Sequence, residues 1–275
     1  MFKIPKFKMG VVIPRVIHQT YPVKEKLPAV LAENINNTRA LNPNWKYCLY
    51  DNDDRENFIL QYYGTEVLDC YCKIDSSYGA ARTDLFRYLL IYAVGGVYLD
   101  IKAAVSKPFE KVILPSDHFI LSKWDQCTHP GWGFHPDLSG MPGGEYQQWH
   151  IISVAGHPYL KVVIEKVLEN VERYNPFRHG VGRKGVLKLS GPIAYSKAIE
   201  GIKSSGEARE VDICADFGIE YSLYKKGIDS QEMHMHLFKK HYTKLKTPVI
   251  STNIFFSSCV IFLYSLVSVM KKLVK

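Results

Sequence analysis

The chain has 275 residues, with 35 Lys and Arg against 27 Asp and Glu, a formal charge of +8 at pH 7. Hydrophobic residues make up 47% and charged residues 23%, which excludes a disordered or collagen-like chain and allows a substantial core. The positive excess suits an anionic partner such as nucleic acid, membrane headgroups or a diphosphate. No RNP-like, zinc-finger or helix-turn-helix signature is present and the Lys and Arg residues are dispersed, so nucleic acid is not an expected partner.

The opening MFKIPKFKMG places lysines ahead of any apolar run, and Val11 to Ile13 is too short for a signal h-region, so no signal peptide is expected. Val16 to Gln19 reads as a first strand ending at the Tyr21-Pro22 turn. Leu27, Leu31, Ile35, Thr38 and Leu41 recur at helical spacing, and Asn42-Pro43-Asn44 stops that helix. Trp45, Tyr47 and Leu49 alternate with polar residues as a second strand, and Asp51 to Asp54 caps a helix running to about Tyr63. Asp75-Ser76-Ser77 reads as an N-cap for a helix over Tyr78 to Val94, with Ala81, Leu85, Leu89 and Tyr92 as its buried stripe. Gly95-Gly96 ends it, and the strand Val97 to Leu99 runs into Asp100. Strand, helix, strand, helix, Gly-Gly, strand is the order of an α/β sheet flanked by helices.

Residues 122–148, rich in Gly, Pro, Trp and His, read as a long functional loop rather than core. Tyr159 to Val171 is a further amphipathic helix, Leu187 to Pro192 a short strand and turn, and Ile193 to about Ile202 a helix. The six cysteines are irregularly spaced, as expected of reduced thiols. No charge falls between Lys246 and Lys271, and Ile254 to Met270 is apolar on every helical face. Two placements are open: a membrane-embedded tail, just long enough to cross with Val249 to Asn253, or a buried terminal helix. We therefore divide the chain into a main domain over 1–247 and a hydrophobic tail over 248–275, a candidate anchor with the body on the cytoplasmic side.

Ligands of open α/β sheets bind at the carboxyl ends of the strands. Asp100 sits at such an end, where a carboxylate is desolvated unless it meets a metal, a hydroxyl or a cation. His18 and Gln19 sit at another. Arg82, Asp84 and Arg87 lie on the helix before the Asp100 strand, and Asp84 and Arg87, three apart, share a face. Taken alone, each has an ordinary reading: a turn aspartate, a core histidine, a solvent ion pair worth a few tenths of a kcal/mol.

Taken together, the run Ala80 to Tyr88 followed by Gly95-Gly96-Val97-Tyr98-Leu99-Asp100 resembles the DXD-containing sugar transferases, and more closely glycosyltransferase family 32. Ile13 to Tyr21 resembles that family's opening strand, and Leu189-Ser190-Gly191-Pro192 its later Gly-Pro segment. The resemblance implies a GT-A-type, Rossmann-like mixed sheet, a nucleotide-sugar donor, a glycan or lipid-linked acceptor and retention at the transferred hexose. By that resemblance Asp84 and Arg87 hold donor-sugar hydroxyls and Asp100 is the first DXD carboxylate. His18, Gln19 and Tyr21 lie on the nucleotide side, with the Tyr21 ring available to stack on a base, and Arg82, Gly191 and Pro192 complete the substrate-binding set.

One departure stands out: the second DXD carboxylate is Lys102. An octahedral Mn²⁺ or Mg²⁺ site relies on oxygens that lysine lacks. Either the metal is held by Asp100, the diphosphate and another residue such as His241, or the Lys102 ammonium replaces part of its charge. The competing reading is a membrane-attached protein that binds a nucleotide sugar or sugar without turnover, for which Lys102 is the best argument.

Overall fold

The computed structural model describes residues 2–204, 207–223, 242–252 and 256–264. The chain opens with β1 (Val16–Thr20), α1 (Ala29–Leu41), β2 (Lys46–Tyr50), α2 (Asn52–Tyr63) and α3 (Thr65–Lys73). Next come α4 (Gly79–Val94), β3 (Gly96–Leu99), β4 (Ala104–Val105), α5 (Phe109–Val112) and β5 (Phe119–Ser122). The remainder is β6 (His150–Ser153), α6 (Pro158–Glu172), α7 (Pro176–His179), α8 (Gly182–Leu189), α9 (Pro192–Glu200), β7 (Arg209–Val211) and β8 (Ile219–Glu220).

Six strands form one mixed sheet in the order β2-β1-β3-β6-β5-β7, and β4 pairs with β8 separately. β1 runs parallel to β2 and β3, β6 runs antiparallel to β3 and β5, and β7 is parallel to β5. The two-residue alternation of strand side chains sorts the core. Tyr98, Ile151, Phe119 and Leu121 face a layer built by α2, α3, α4, α6, α8 and α9. Val97, Leu99, Ile152 and Ile120 face a second cluster with Phe109, Trp124, Trp149 and Phe217. A mixed sheet flanked by helices is thus the observed architecture.

Several local features follow from the chain's chemistry. Asp51 and Asp54 form a reciprocal capping box on α2. Gly95 and Gly96 take φ values of 68° and 106°, where other residues are strained. A Cβ on Gly96 would lie 2.7 Å from the Val16 carbonyl oxygen and 3.0 Å from His18 Nε2, so the turn from α4 into β3 requires bare backbone.

Other expectations are corrected. Asp75 accepts from Ser77 N at 2.9 Å in a turn, while α4 starts at Gly79 with Tyr78 as its uncapped N-cap. α4 carries no single buried stripe: every residue from Asp84 to Tyr92 is buried, because α2, α6, α8 and the strands β3 and β6 surround it. Leu187 to Leu189 ends α8 rather than forming a strand, and α3, β5, β6 and β7 appear where no element was anticipated. The stretch 122–148 is irregular as expected, but Trp124 and Glu145 to Gln147 are buried.

Residues 256–264 are helical. Val260 is buried, and Tyr264 donates to the Pro176 carbonyl oxygen at 2.5 Å and stacks on Phe177. Phe256, Ile261, Phe262 and Leu263 are exposed. Among the described residues no helix is long and apolar enough to cross a membrane. The rest of the predicted apolar segment lies outside the described residues.

Candidate active site

The site begins where β3 ends. Asp100 N donates to the Trp149 carbonyl oxygen at 2.8 Å, extending the ladder by one residue, and Ala103 N returns to the Asp100 carbonyl oxygen at 2.8 Å to close a turn. Asn34 of α1 locks that turn by donating Nδ2 to the carbonyl oxygens of Ala103 (2.8 Å) and Ile101 (3.4 Å). Gln19 donates Nε2 to the Asp100 carbonyl oxygen at 3.2 Å and is itself held by the Tyr47 hydroxyl at 2.8 Å. A buried amide and a strand-end glutamine thus fix the backbone from which Asp100 and Lys102 project.

α4 supplies the other half. Arg87 Nη2 lies 3.0 Å from Asp100 Oδ1 and 3.3 Å from Asp84 Oδ1. Its Nη1 donates to the carbonyl oxygen (2.7 Å) and side-chain oxygen (2.9 Å) of Gln148, and its guanidinium sits 4.8 Å from the centre of the Tyr98 ring. Asp84 accepts from Ser190 Oγ at 3.0 Å and Gln148 Nε2 at 3.2 Å. The side chain of Asp100 is 24% exposed, whereas those of Arg87 and Asp84 are 4% and 5% exposed. Asp100 therefore faces solvent with a buried guanidinium and a second carboxylate behind it.

Burial dominates the electrostatics. It pushes Asp84 up to about 6, with Arg87, Ser190 and Gln148 pulling the other way and Asp100 adding to the rise. Burial also opposes the charge of Arg87, yet Asp100, Tyr98 and Asp84 hold that guanidinium above its ordinary value. Lys102 is brought down to about 8 by burial, against the pull of Asp100 and with a further push from Arg87. Its ammonium sits 3.8 Å from the centre of the Tyr221 ring, a cation–π contact. Two carboxylates and two cations share this corner.

Of the two residues expected to hold a divalent cation, the structure describes Asp100. Among the described residues no three His, Cys, Asp or Glu side chains converge as a metal group. Asp100 Oδ1 is already engaged by Arg87 and by the Tyr98 hydroxyl at 3.4 Å, and the position two residues on carries an ammonium. His241, the other proposed ligand, lies outside the described residues.

The remaining predicted residues separate into near and far. Tyr21 packs with Leu31, Ile35 and Ile101, beside the Asp100 turn. Gly191 and Pro192 open α9, where a Cβ on Gly191 would lie 2.9 Å from Leu187 Cα. They set the direction of Ser190, which reaches Asp84. His18 is elsewhere: its Nδ1 lies 3.1 Å from the Tyr50 hydroxyl and its Nε2 3.2 Å from the Gly95 carbonyl oxygen. Burial lowers it to about 4, so it is a neutral core histidine. Arg82 donates Nε to the Ile74 carbonyl oxygen at 2.9 Å and lies over Tyr71, tying α4 to the turn before it.

Sequence reasoning missed Asn34, Tyr98, Gln148, Ser190 and Tyr221. Strand alternation could have found Tyr98, two residues before Asp100 on the same face. Gln148 and Tyr221 come from irregular segments with no periodic signal.

Residues 28–120 match the family described as the glycosyltransferase sugar-binding region containing DXD motif. Inositol phosphoceramide mannosyltransferase 2 of Schizosaccharomyces pombe is 26% identical over 165 residues, covering 59% of this chain and 41% of that protein. The initiation-specific alpha-1,6-mannosyltransferase of Candida albicans is 27% identical, covering 57% of this chain and 43% of that protein. A mannosyl phosphorylinositol ceramide synthase of Saccharomyces cerevisiae is 30% identical, covering 65% and 42%. The chain thus spans less than half the length of these relatives. Among solved structures, the PaToxG glycosyltransferase aligns over 70% of each chain with a TM-score of 0.44 and 17% identity, too remote to assign a shared fold.

Proposed function

From the DXD-containing sugar-binding region of glycosyltransferases that residues 28–120 carry, we propose that this chain moves a hexosyl group from a nucleotide-sugar donor to a hydroxyl of a glycan or lipid-linked acceptor, on a GT-A-type fold. The observation that carries the reading is the Asp84–Arg87–Asp100 array: a solvent-facing carboxylate at an inner strand end, backed by a buried guanidinium and a second acid. Asp100, Asp84 and Arg87 orient the donor sugar. Misplacing the ring by an ångström costs orders of magnitude in rate.

The sugar C1–O bond breaks with its electron pair leaving on the diphosphate. Lys102, reinforced by Arg87, offsets the charge that grows there, as preorganised cations do in a water-poor site. The acceptor oxygen then bonds to C1 on the face the diphosphate vacates, and its proton passes to the departing phosphate oxygen, so configuration is retained. No carboxylate is assigned as a covalent nucleophile. No step is assigned to a divalent ion, for which Asp100 is the one expected ligand among the described residues.

The relatives' names make a mannosyl donor the first to test, and two of them name an inositol-phosphate ceramide acceptor. The exposed apolar residues of 256–264 suit a tail that rests on a membrane, and the body is proposed, separately, to lie on the cytoplasmic side. Fractionation and protease protection of the tagged chain test that arrangement.

The central experiment is a screen of UDP- and GDP-sugars for donor cleavage and transfer, with Mn²⁺ and with excess EDTA. The expected result is turnover that survives EDTA and falls more than about 100-fold in Asp100→Asn and Asp84→Asn, with both variants folded. Wild-type turnover in either variant removes the site assignment, and loss of turnover in EDTA removes the assigned role of Lys102.

A further inference from the structure

Around Tyr221, the ring that Lys102 contacts, stands a group of aromatic rings with no role in the proposed transfer. Trp124 contacts Trp132 (4.9 Å between ring centres), His129 (5.1 Å) and Tyr221 (5.3 Å), and Trp132 also meets Tyr221 at 6.0 Å. Trp149, whose carbonyl oxygen receives the Asp100 amide, lies 5.4 Å from Tyr221, and its buried indole N–H has no partner. Trp124 and Trp149 are buried, but Trp132 is 46% exposed.

The segment that presents Trp132 is tightly held. Asp125 accepts from the amides of Cys127 and Thr128, both at 3.1 Å. Gln126 donates Nε2 to the carbonyl oxygens of Trp124 (3.1 Å) and Trp132 (3.0 Å) and accepts from Gly131 N at 2.9 Å. Gly131 and Gly133 bracket the indole with φ values of 80° and 79°, turns that a side chain would strain. A chain that needed Trp132 only for packing would bury it. Instead a rigid polar loop holds half an indole in water.

We propose that Trp132 is the acceptor subsite: its indole stacks against the apolar C–H face of the acceptor's sugar ring, and the polar groups of the surrounding loop face the hydroxyls. This deepens the transferase reading and rests on it. The donor belongs at Asp100 and Arg87. The indole stands no further from the Lys102 ammonium than the two ring distances through Tyr221 combined, within reach of a single sugar residue. A carbohydrate is the assigned occupant because the exposed indole stands within a sugar's length of Lys102, with the exposed ring of Phe134 beside it in sequence.

The test uses the full chain, Trp132→Ala and Trp132→Phe, each checked for native melting, with mannobiose as the acceptor probe. We expect Trp132→Ala to raise the acceptor KM about tenfold, Trp132→Phe to recover most of it, and the donor KM to move by less than about threefold. An unchanged acceptor KM, or an equal rise in both KM values, overturns the proposal. Mannobiose binding is read separately by saturation-transfer NMR. If the wild type cleaves no nucleotide sugar, the transferase reading falls, while binding by wild type and not by Trp132→Ala upholds the subsite. Binding by neither, or by both equally, overturns it.

Discussion

Replacing Lys102 with methionine should make the protein more stable and nearly inactive. Burial lowers the ammonium from 10.5 to about 8, a shift that corresponds to roughly 3 kcal/mol of native-state destabilisation at neutral pH. The side chain is buried, so solvent does not screen this away. Methionine keeps the volume, loses the charge and forfeits the contact with Tyr221, worth ~1 kcal/mol. The net gain is ~2 kcal/mol, or roughly 4–8 °C in melting temperature. A base whose folded pKa lies below its unfolded one weakens the fold wherever both states are charged. The advantage of Lys102→Met should therefore be full below pH 8 and shrink between pH 8 and 10.5 as the native lysine sheds its proton. Activity moves the other way. One ion pair at ~4 Å and an effective dielectric of ~20 contributes ~4 kcal/mol before desolvation, so kcat should fall between about 100- and 1,000-fold. Scanning fluorimetry across pH and donor cleavage on the same samples read both effects. A variant that melts no higher than wild type at pH 7 and turns over at the wild-type rate refutes the reasoning.

Because Asp84 is raised to about 6 and must be ionised to hold Arg87, log kcat/KM should fall as pH drops below about 6, with a second limb near 8 from Lys102. Ser190→Ala removes a hydrogen bond to the ionised carboxylate and should move the acid limb upward by about half a unit to one unit. A limb that stays in place in the variant assigns it to another group. Asn34→Ala leaves the Ala103 and Ile101 carbonyl oxygens without that donor, so urea unfolding should show a loss of about 1–3 kcal/mol, with kcat reduced more than KM. A loss under about 0.5 kcal/mol shows that the turn holds itself.

The sequence disclosed the elements whose signals are local. Asp51 and Asp54 announce α2, Gly95-Gly96 announces the passage from α4 to β3, and the strand-end position of Asp100 follows from three apolar residues before it. Strands β5, β6 and β7 were not legible because runs of three or four residues carry too little periodicity to separate from loop. The burial of α4 on every side was hidden as well, since polar residues at Asp84 and Arg87 suggest a wet face until the partners that neutralise them are known. Those partners, Gln148 and Ser190, lie 64 and 106 residues from Asp84. Contacts across such spans leave no trace in local pattern. His18, expected at a strand end, lies in the middle of β1, with its side chain packed on the bare backbone of Gly96.

With every residue from Asp84 to Tyr92 buried, the helix proposed to grip the donor is also the keel of the fold. A substitution there alters rate and stability at once, which leaves little freedom to retune sugar preference from that position. New specificities would arise more readily at the rim, at exposed positions such as Trp132 and Phe134.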